Sequence, residues 1–279
     1  MPAGSALRSL PALFFFLYTI PMSSWGRQHQ TGYLLAIIIV VLVAGVGTYV
    51  VRKPVPTCGD GVENGSETGV DCGGACLRAC KDEATAPIVS WVHFFPVRSG
   101  AVDVAALLRN PNARFALSEL RYRFKLYDAN QQLIAERDGV TFLNPGEETV
   151  IFEPLVQTKS RVAARAFLEL APQGEDLFWV RKGEERVPAL VVKDKEFALD
   201  PVPSLTVTLG NTSSFDARDV SVVGVLYDGS GNAVAASATT IPRILRLQES
   251  ESTLTWPNPF SVDIASSGVY LHTRPLSVN

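Results

Sequence analysis

All four cysteines of the chain fall in one short stretch, TCGDGVENGSETGVDCGGACLRAC, as Cys58, Cys72, Cys76 and Cys80. Two chemistries use cysteines at this density. Disulfides can staple a segment too short to bury a core of its own. Four thiolates can instead hold a structural zinc ion. The spacing C-x13-C-x3-C-x3-C lacks the C-x2-C knuckles of zinc ribbons, so disulfides are the expected state. Four cysteines allow three pairings, and the spacing does not choose among them. The polar residues between them suggest a third chemistry. Counted from Asp60, Asn64 is position 5, Gly65 position 6 and Asp71 position 12 of a calcium loop. Position 3 is Val62 and position 12 is not Glu, so the expected role of these residues is turn formation around a disulfide loop. No metal or other cofactor is assigned.

The same residues carry a resemblance. Cys58, Asp60, Gly61, Asn64, Gly65, Glu67, Thr68, Asp71, Cys72, Gly73, Gly74 and Cys76 match the pattern C-x-DG-x-x-N-G-x-E-T-x-x-DCGG-x-C. This resembles a Cys-rich motif found just outside the membrane or cell surface in many bacterial exported proteins, and it implies an extracytoplasmic side.

Other candidates for chemistry are few. The three histidines are His29, His93 and His272, and no G-x-S-x-G elbow, HExxH or Walker A pattern accompanies them. Gly229-Ser-Gly231 precedes no helix, which argues against a phosphate loop. Glu147-Glu148 and Glu184-Glu185 sit in polar turns. The sequence is therefore read as non-enzymatic. The formal net charge of −3 and a pI near 5.7 argue against electrostatic nucleic-acid binding. Asn64-Gly-Ser and Asn211-Thr-Ser match the glycosylation sequon, which matters only in a eukaryotic secretory pathway.

The element that must position the cysteines precedes them. Apolar residues make up 47% of the 279 residues and charged residues 19%, giving a mean hydropathy of +0.15. The surplus lies in Tyr33–Val51, YLLAIIIVVLVAGVGTYVV, which contains no charged residue. As a helix it is about 28 Å long, close to the roughly 30 Å of a bilayer core. Arg52, Lys53, Pro54 and Pro56 end it. Leu10–Met22 is a second apolar stretch, too short to span; it reads as a signal core, an interfacial segment, or sequence upstream of a start at Met22, the last being preferred. Arg27, with an α-amino group beside it if Met22 is the start, stands against Arg52 and Lys53, so the flanking charges give no clear orientation or mildly favour the C-terminal part inside; the cysteine stretch points outside and is given the greater weight.

Beyond residue 87 the chain repeats itself. Phe115, Leu120, Leu126-Tyr127-Asp128 and Ile134 recur 100 positions later as Phe215, Val220, Leu226-Tyr227-Asp228 and Val234. Further on, Leu143, Glu147, Thr149 and Phe152 align with Leu247, Glu251, Thr253 and Trp256 at an offset of 104. In the first copy Leu120, Tyr122, Phe124 and Leu126 alternate with Arg121, Arg123 and Lys125, the pattern of a half-buried strand. Asp128-Ala-Asn130 and Asp228-Gly-Ser-Gly231 supply turns directly after it. Short strands at this spacing imply a β-sandwich in each copy.

Phe124-Lys-Leu126-Tyr127-Asp128 spells F-x-L-Y-D, and with Asn110 upstream and Asn144-Pro-Gly-Glu147 downstream it resembles the FxLYD-type domain. That Ig-like or late-embryogenesis-abundant-like sandwich occurs in exported and membrane-anchored bacterial and archaeal proteins. The resemblance covers residues 88–170 well and 197–275 less well, since Gly224 stands where the first copy has Phe124. It implies a fold and a location and supplies no catalytic residue. One difference between the copies matters. Arg121, Arg123 and Lys125 correspond to Ser221, Val223 and Val225, so the second copy's strand is apolar on both faces and Val223 and Val225 are expected to be covered. The cationic stripe of the first copy is read as a solvated face.

The expected organisation is mainly β: two tandem antiparallel β-sandwiches after one N-terminal transmembrane helix. It assigns 1–32 to a tail, 33–51 to the helix, 52–86 to a Cys-rich stalk, 87–175 and 197–279 to the sandwiches, and 176–196 to a linker or hairpin. Phe178 and Trp179 in that linker are candidate contacts, with core packing the preferred reading. The expected role is a single-pass envelope interaction or scaffolding protein, its sandwiches outside the cytoplasmic membrane. Its partners are the lipid bilayer and envelope proteins or surface polymers. The alternatives are an accessory subunit of a secretion or transport complex, an enzyme with an unrecognised site, and a cytoplasmic-facing zinc protein.

Overall fold

The computed structural model describes residues 24–52, 57–172, 177–181 and 187–275. Leu10–Met22, Lys53, Pro54 and Glu184-Glu185 lie outside them.

The N-terminal unit is one helix, α1, Ser24–Arg52, which begins upstream of the apolar run. His29–Val50 is long and apolar enough to cross a membrane. Its large apolar side chains, Tyr33 to Val50, are all exposed, so this unit itself offers them no core. The Thr48 hydroxyl, a polar group in that run, donates to Ala44 O at 2.8 Å and Gly45 O at 2.9 Å. A spanning helix must satisfy its polar groups internally in this way.

The second unit, residues 56–279, contains the cysteine stretch and the β structure. The first sandwich comprises β1 (Ile88–Arg98), β2 (Ala101–Arg109), β3 (Phe115–Tyr127), β4 (Leu133–Leu143), β5 (Glu148–Gln157), β6 (Arg165–Leu170) and β7 (Trp179–Arg181). Its two antiparallel sheets run β1-β2-β5 and β4-β3-β6, with β7 also paired to β3. The second comprises β8 (Leu190–Ala198), β9 (Ser204–Asn211), β10 (Ala217–Tyr227), β11 (Ala233–Ile244), β12 (Glu249–Thr255) and β13 (Ser266–His272). Its sheets run β8-β9-β12 and β11-β10-β13, the same order as the first copy without β7. Each sandwich closes over its own core. Val104, Ala106, Leu108, Leu120, Phe124, Leu126 and Leu143 fill the first. Leu205, Val207, Leu209, Val220, Val222, Leu226 and Leu254 fill the second.

The repeat is closer than the residue alignment implies. Asn110 N donates to Glu147 O at 2.8 Å, and Asn211 N donates to Gln248 O at 2.9 Å. Gly146 and Leu247 hold the same left-handed turn position, at φ 67° and 56°. Glu147 therefore corresponds to Gln248, at an offset of 101, and the 104 offset is corrected. Polar edge strands such as β5 and β12 carry too little pattern to fix their alignment. The boundaries move as well. β8 opens the second sandwich before residue 197, and β7 belongs to the first, so 176–196 is divided between the sandwiches rather than standing as a linker.

Candidate functional site

The cysteine stretch is cross-linked Cys58–Cys76 and Cys72–Cys80. The four sulfurs thus form two pairs rather than one tetrahedral centre. The DCGG sequence is a backbone requirement. Asp71, Gly73 and Gly74 have φ of 54°, 72° and 55°. A Cβ on Gly73 would lie 1.8 Å from Thr68 Oγ1, and one on Gly74 1.6 Å from Ser66 O. Glycine is the residue that meets both demands.

Of the three candidate calcium residues, Asp60 and Asp71 serve as turn acceptors and Asn64 donates to Asp60. Asp71 Oδ1 accepts from Asp60 N at 2.9 Å and Gly61 N at 3.1 Å. Asp60 accepts from Val62 N at 3.0 Å and from the Asn64 amide at 2.9 Å. The Asn64 amide and then the Val62 N–H hold the Asp60 carboxyl below its usual pKa. These carboxylates face N–H donors, whereas a calcium ion needs converging oxygens.

The module is fastened to the first sandwich. Ala79 N donates to Trp179 O at 3.0 Å, Arg181 N donates to Leu77 O at 2.5 Å, and the Ala79 side chain enters the sandwich core. The candidacy of Trp179 as a contact residue is corrected in favour of core packing: it is 5% exposed and lies in that core. Phe178 is exposed on one side, with the Arg78 guanidinium 4.9 Å above its ring.

The motif residues build strands and turns. Phe124, Leu126 and Leu226 are fully buried. Asp128 Oδ1 accepts from Asn130 N and Gln132 N at 2.9 and 3.0 Å; Asp228 Oδ1 accepts from Ser230 N and Asn232 N at 2.9 and 2.8 Å. Tyr127 O accepts from Ala164 N, and Tyr227 O from Ala265 N. Over Gly224, Leu254 and Leu205 fill the space that Phe124 takes in the first copy: a Cβ there would lie 2.7 Å from Leu254. The cationic stripe is matched by acids on the flanking strands. Arg123 pairs with Asp138 on β4, and Lys125 with Glu169 on β6 at 2.6 Å.

Val223 and Val225 are where the two sandwiches meet. They are 2% and 0% exposed and share a third apolar cluster with Phe95, Ala105, Leu107 and Val150 of the first sandwich. Alternation explains this. Val220, Val222 and Leu226 point into the second core, so Val223 and Val225 point outward from the same strand. The β1-β2-β5 sheet of one copy thereby stacks on the β11-β10-β13 sheet of the other. A polar latch borders the layer. His272 stacks on Phe142 with ring centroids 3.8 Å apart, and its Nδ1 lies 2.8 Å from Glu147 Oε1. The Asn144 amide donates to Thr273 O at 3.2 Å, and Arg274 sits 4.5 Å from the Phe142 ring centre. His93, between Trp91 and Phe95 on the outward side of β1, has its pKa lowered by burial.

Sequence reasoning named Asn110 and Asn211 but missed that they organise each copy internally. Asn110 and Asn211 are 1% and 2% exposed. Asn110 Nδ2 donates to Phe115 O and Asn144 O, both at 2.8 Å, and its Oδ1 accepts from Asn112 N at 3.0 Å. Asn211 Nδ2 donates to Phe215 O at 2.9 Å and Ile244 O at 3.1 Å, and its Oδ1 accepts from Ser213 N at 3.1 Å. The available signal was an asparagine at the end of the second strand of both copies, in Asn110-Pro-Asn and Asn211-Thr-Ser.

No family model and no curated protein matches the chain. Among solved structures it is similar to red sea bream transglutaminase, at 12% identity and a TM-score of 0.20, over 68% of this chain and 31% of that one. The chain spans about a third of that protein's length, and a likeness this low carries no argument about fold or activity.

Proposed function

We propose that this protein is a single-pass, membrane-anchored interaction or scaffolding protein, with its cysteine module and sandwiches on the extracytoplasmic side. The observation that carries the reading is the joining of all β structure into one block. Two sandwiches share a buried apolar layer, and a disulfide-linked module is fastened to the first of them. Such a block holds its outer faces at fixed positions, which suits presentation of surfaces to envelope proteins or surface polymers. The disulfides favour an oxidising compartment. The apolar run His29–Val50 supports anchoring. The resemblance to FxLYD-type domains points to the same location. The geometry of the motif residues, shared by the two copies, is used by strand and turn formation, which supports a non-catalytic role for them.

Thiol alkylation with and without reductant, on membranes from the native host, tests the reading. The expected result is no alkylation of Cys58, Cys72, Cys76 or Cys80 before reduction, and protease access to the β block from the extracytoplasmic side alone. Free thiols together with protection from that side would overturn it.

A further inference from the structure

The layer between the sandwiches is open at one end. A cleft of about 420 Å³ lies there, between the end of β1, the start of β11 and the loop after β12, and Phe94, Phe95, Trp256 and Phe260 line it. Asn258 in that loop ties it to the first sandwich by donating to Val97 O at 2.8 Å. The one acidic residue in the lining is Asp103. Alternation along β2 places it on the same outward face as Ala105 and Leu107, which are buried in the inter-sandwich layer.

Asp103 is an unusual residue for that face. One carboxylate oxygen accepts from Leu155 N at 2.8 Å, and among the described residues no cation pairs with it. Burial pushes its pKa up. A carboxylate beside aromatic rings without a counter-charge costs stability. The Trp256 indole N–H is likewise buried at the cleft wall without an acceptor. Both groups lack a partner of opposite kind, one a cation and the other a carbonyl.

We propose that this cleft binds a basic side chain, arginine or lysine, carried by a partner polypeptide. Its charged head pairs with Asp103, its apolar stem lies along the aromatic rings, and cation–π attraction adds to the pairing. The inference deepens the interaction reading above and rests on it.

The test uses the full-length protein in nonionic micelles, labelled with 15N at the tryptophan indoles. Four tryptophans give four indole resonances, and Trp256→Phe assigns the one concerned. The probes are a capped pentapeptide with a central arginine, its citrulline analogue of equal shape and no charge, and butylguanidinium. The arginine peptide is expected to shift the Trp256 resonance saturably, and the citrulline peptide to bind at least about ten-fold more weakly, the loss of one charge-assisted hydrogen bond. Asp103→Asn keeps an acceptor for Leu155 N and should abolish the discrimination while the other indole resonances stay in place. No saturable shift, equal affinity for citrulline, or discrimination that survives Asp103→Asn overturns the proposal. Butylguanidinium binding as tightly as the peptide overturns its polypeptide part. Alkylation and protease access read sidedness separately, so failure of the cleft and failure of the anchoring reading are distinguishable.

Discussion

Replacing Asn110 by alanine, in a site that is 1% exposed, removes the donors to Phe115 O and Asn144 O and the acceptor of Asn112 N and of the Asn112 side-chain amide; Asn144 O keeps Glu147 N at 3.3 Å and the amide keeps Thr85 O at 2.7 Å, which leaves Phe115 O and Asn112 N as the groups most exposed to the loss. Each unsatisfied buried group costs about 1–3 kcal/mol, and partial relaxation brings the expected total to about 3–5 kcal/mol. That is a large part of the 5–15 kcal/mol typical of a folded domain. Asn110→Asp is the sharper perturbation. It keeps the shape and the acceptor for Asn112 N but turns a carboxylate oxygen toward the two carbonyls. The new carboxyl is desolvated and faces like partial charges, so its folded-state pKa rises above its unfolded value. The destabilisation is then complete above the raised pKa and shrinks as pH falls through it, because the protonated carboxyl can donate to one carbonyl. Urea unfolding of the full-length protein in nonionic detergent, followed by tryptophan fluorescence, measures both variants. Asn211→Ala and Asn211→Asp should reproduce the pattern, since Asn211 makes the matching bonds to Phe215 O and Ile244 O. An alanine variant losing less than about 1 kcal/mol, or an aspartate variant whose deficit does not shrink in acid, would refute the assignment of these asparagines as the internal ties of each copy.

Val225→Ala should cost about 1.5–2.5 kcal/mol, and hydrogen exchange should rise in both β5 and β10; a rise confined to the second sandwich would contradict the shared layer. Reduction of Cys58–Cys76, which closes a separation of 18 residues, should cost about 3 kcal/mol, opening residues 57–80 to protease while the sandwiches keep their near-UV dichroism. Tyr122 and Tyr227 should titrate later than ordinary tyrosines. Burial first, then the Glu153 carboxylate beside Tyr122 and the Tyr270 hydroxyl beside Tyr227, push their pKa values up. Their contribution to stability is therefore present below about pH 10 and lost as pH rises above it; stability that stays flat through alkaline titration would count against this.

Much of this architecture was legible where a residue's environment repeats along a strand. Leu120, Tyr122, Phe124 and Leu126 alternate with charged neighbours, and all four are buried. Val223 and Val225 stood out because apolar residues on both faces of a strand require two covers. The cysteine stretch announced cross-links but not their pairing, which depends on chain direction between residues and not on spacing. Other features leave no periodic trace. β7 is three residues long, so it carries no strand pattern to decide whether Trp179 is a contact residue or part of the core in which it lies. β8, LVVKDKEFA, is mostly exposed and reads as polar connection. Asn110 and Asn211 act through single side chains bonding to distant carbonyls, and a window of sequence does not register such contacts. The latch between His272 and Glu147 joins residues on different copies, beyond the reach of any local pattern.

The way the copies differ explains how a repeat became one block of two. The contact is heterologous: the β1-β2-β5 sheet of the first sandwich meets the β11-β10-β13 sheet of the second. A contact of that kind can in principle continue, with each copy offering one sheet to the copy before and the other to the copy after. Here the unused faces prevent it. Ala105 and Leu107, apolar at the contact, have as counterparts at the 101 offset Thr206 and Thr208 on the outer sheet of the second sandwich. Val150 has Glu251 as its counterpart. There Thr206 meets Thr253, and Lys193 pairs with Glu249 at 2.7 Å. On the outer sheet of the first sandwich, the positions of Val223 and Val225 are taken by Arg123 and Lys125, each paired with an acid. Covering either outer face with a further apolar sheet would desolvate ion pairs, at a cost their mutual attraction does not recover. Each copy thus keeps one apolar outer face, and the two faces differ in kind, so that they fit each other and nothing beyond.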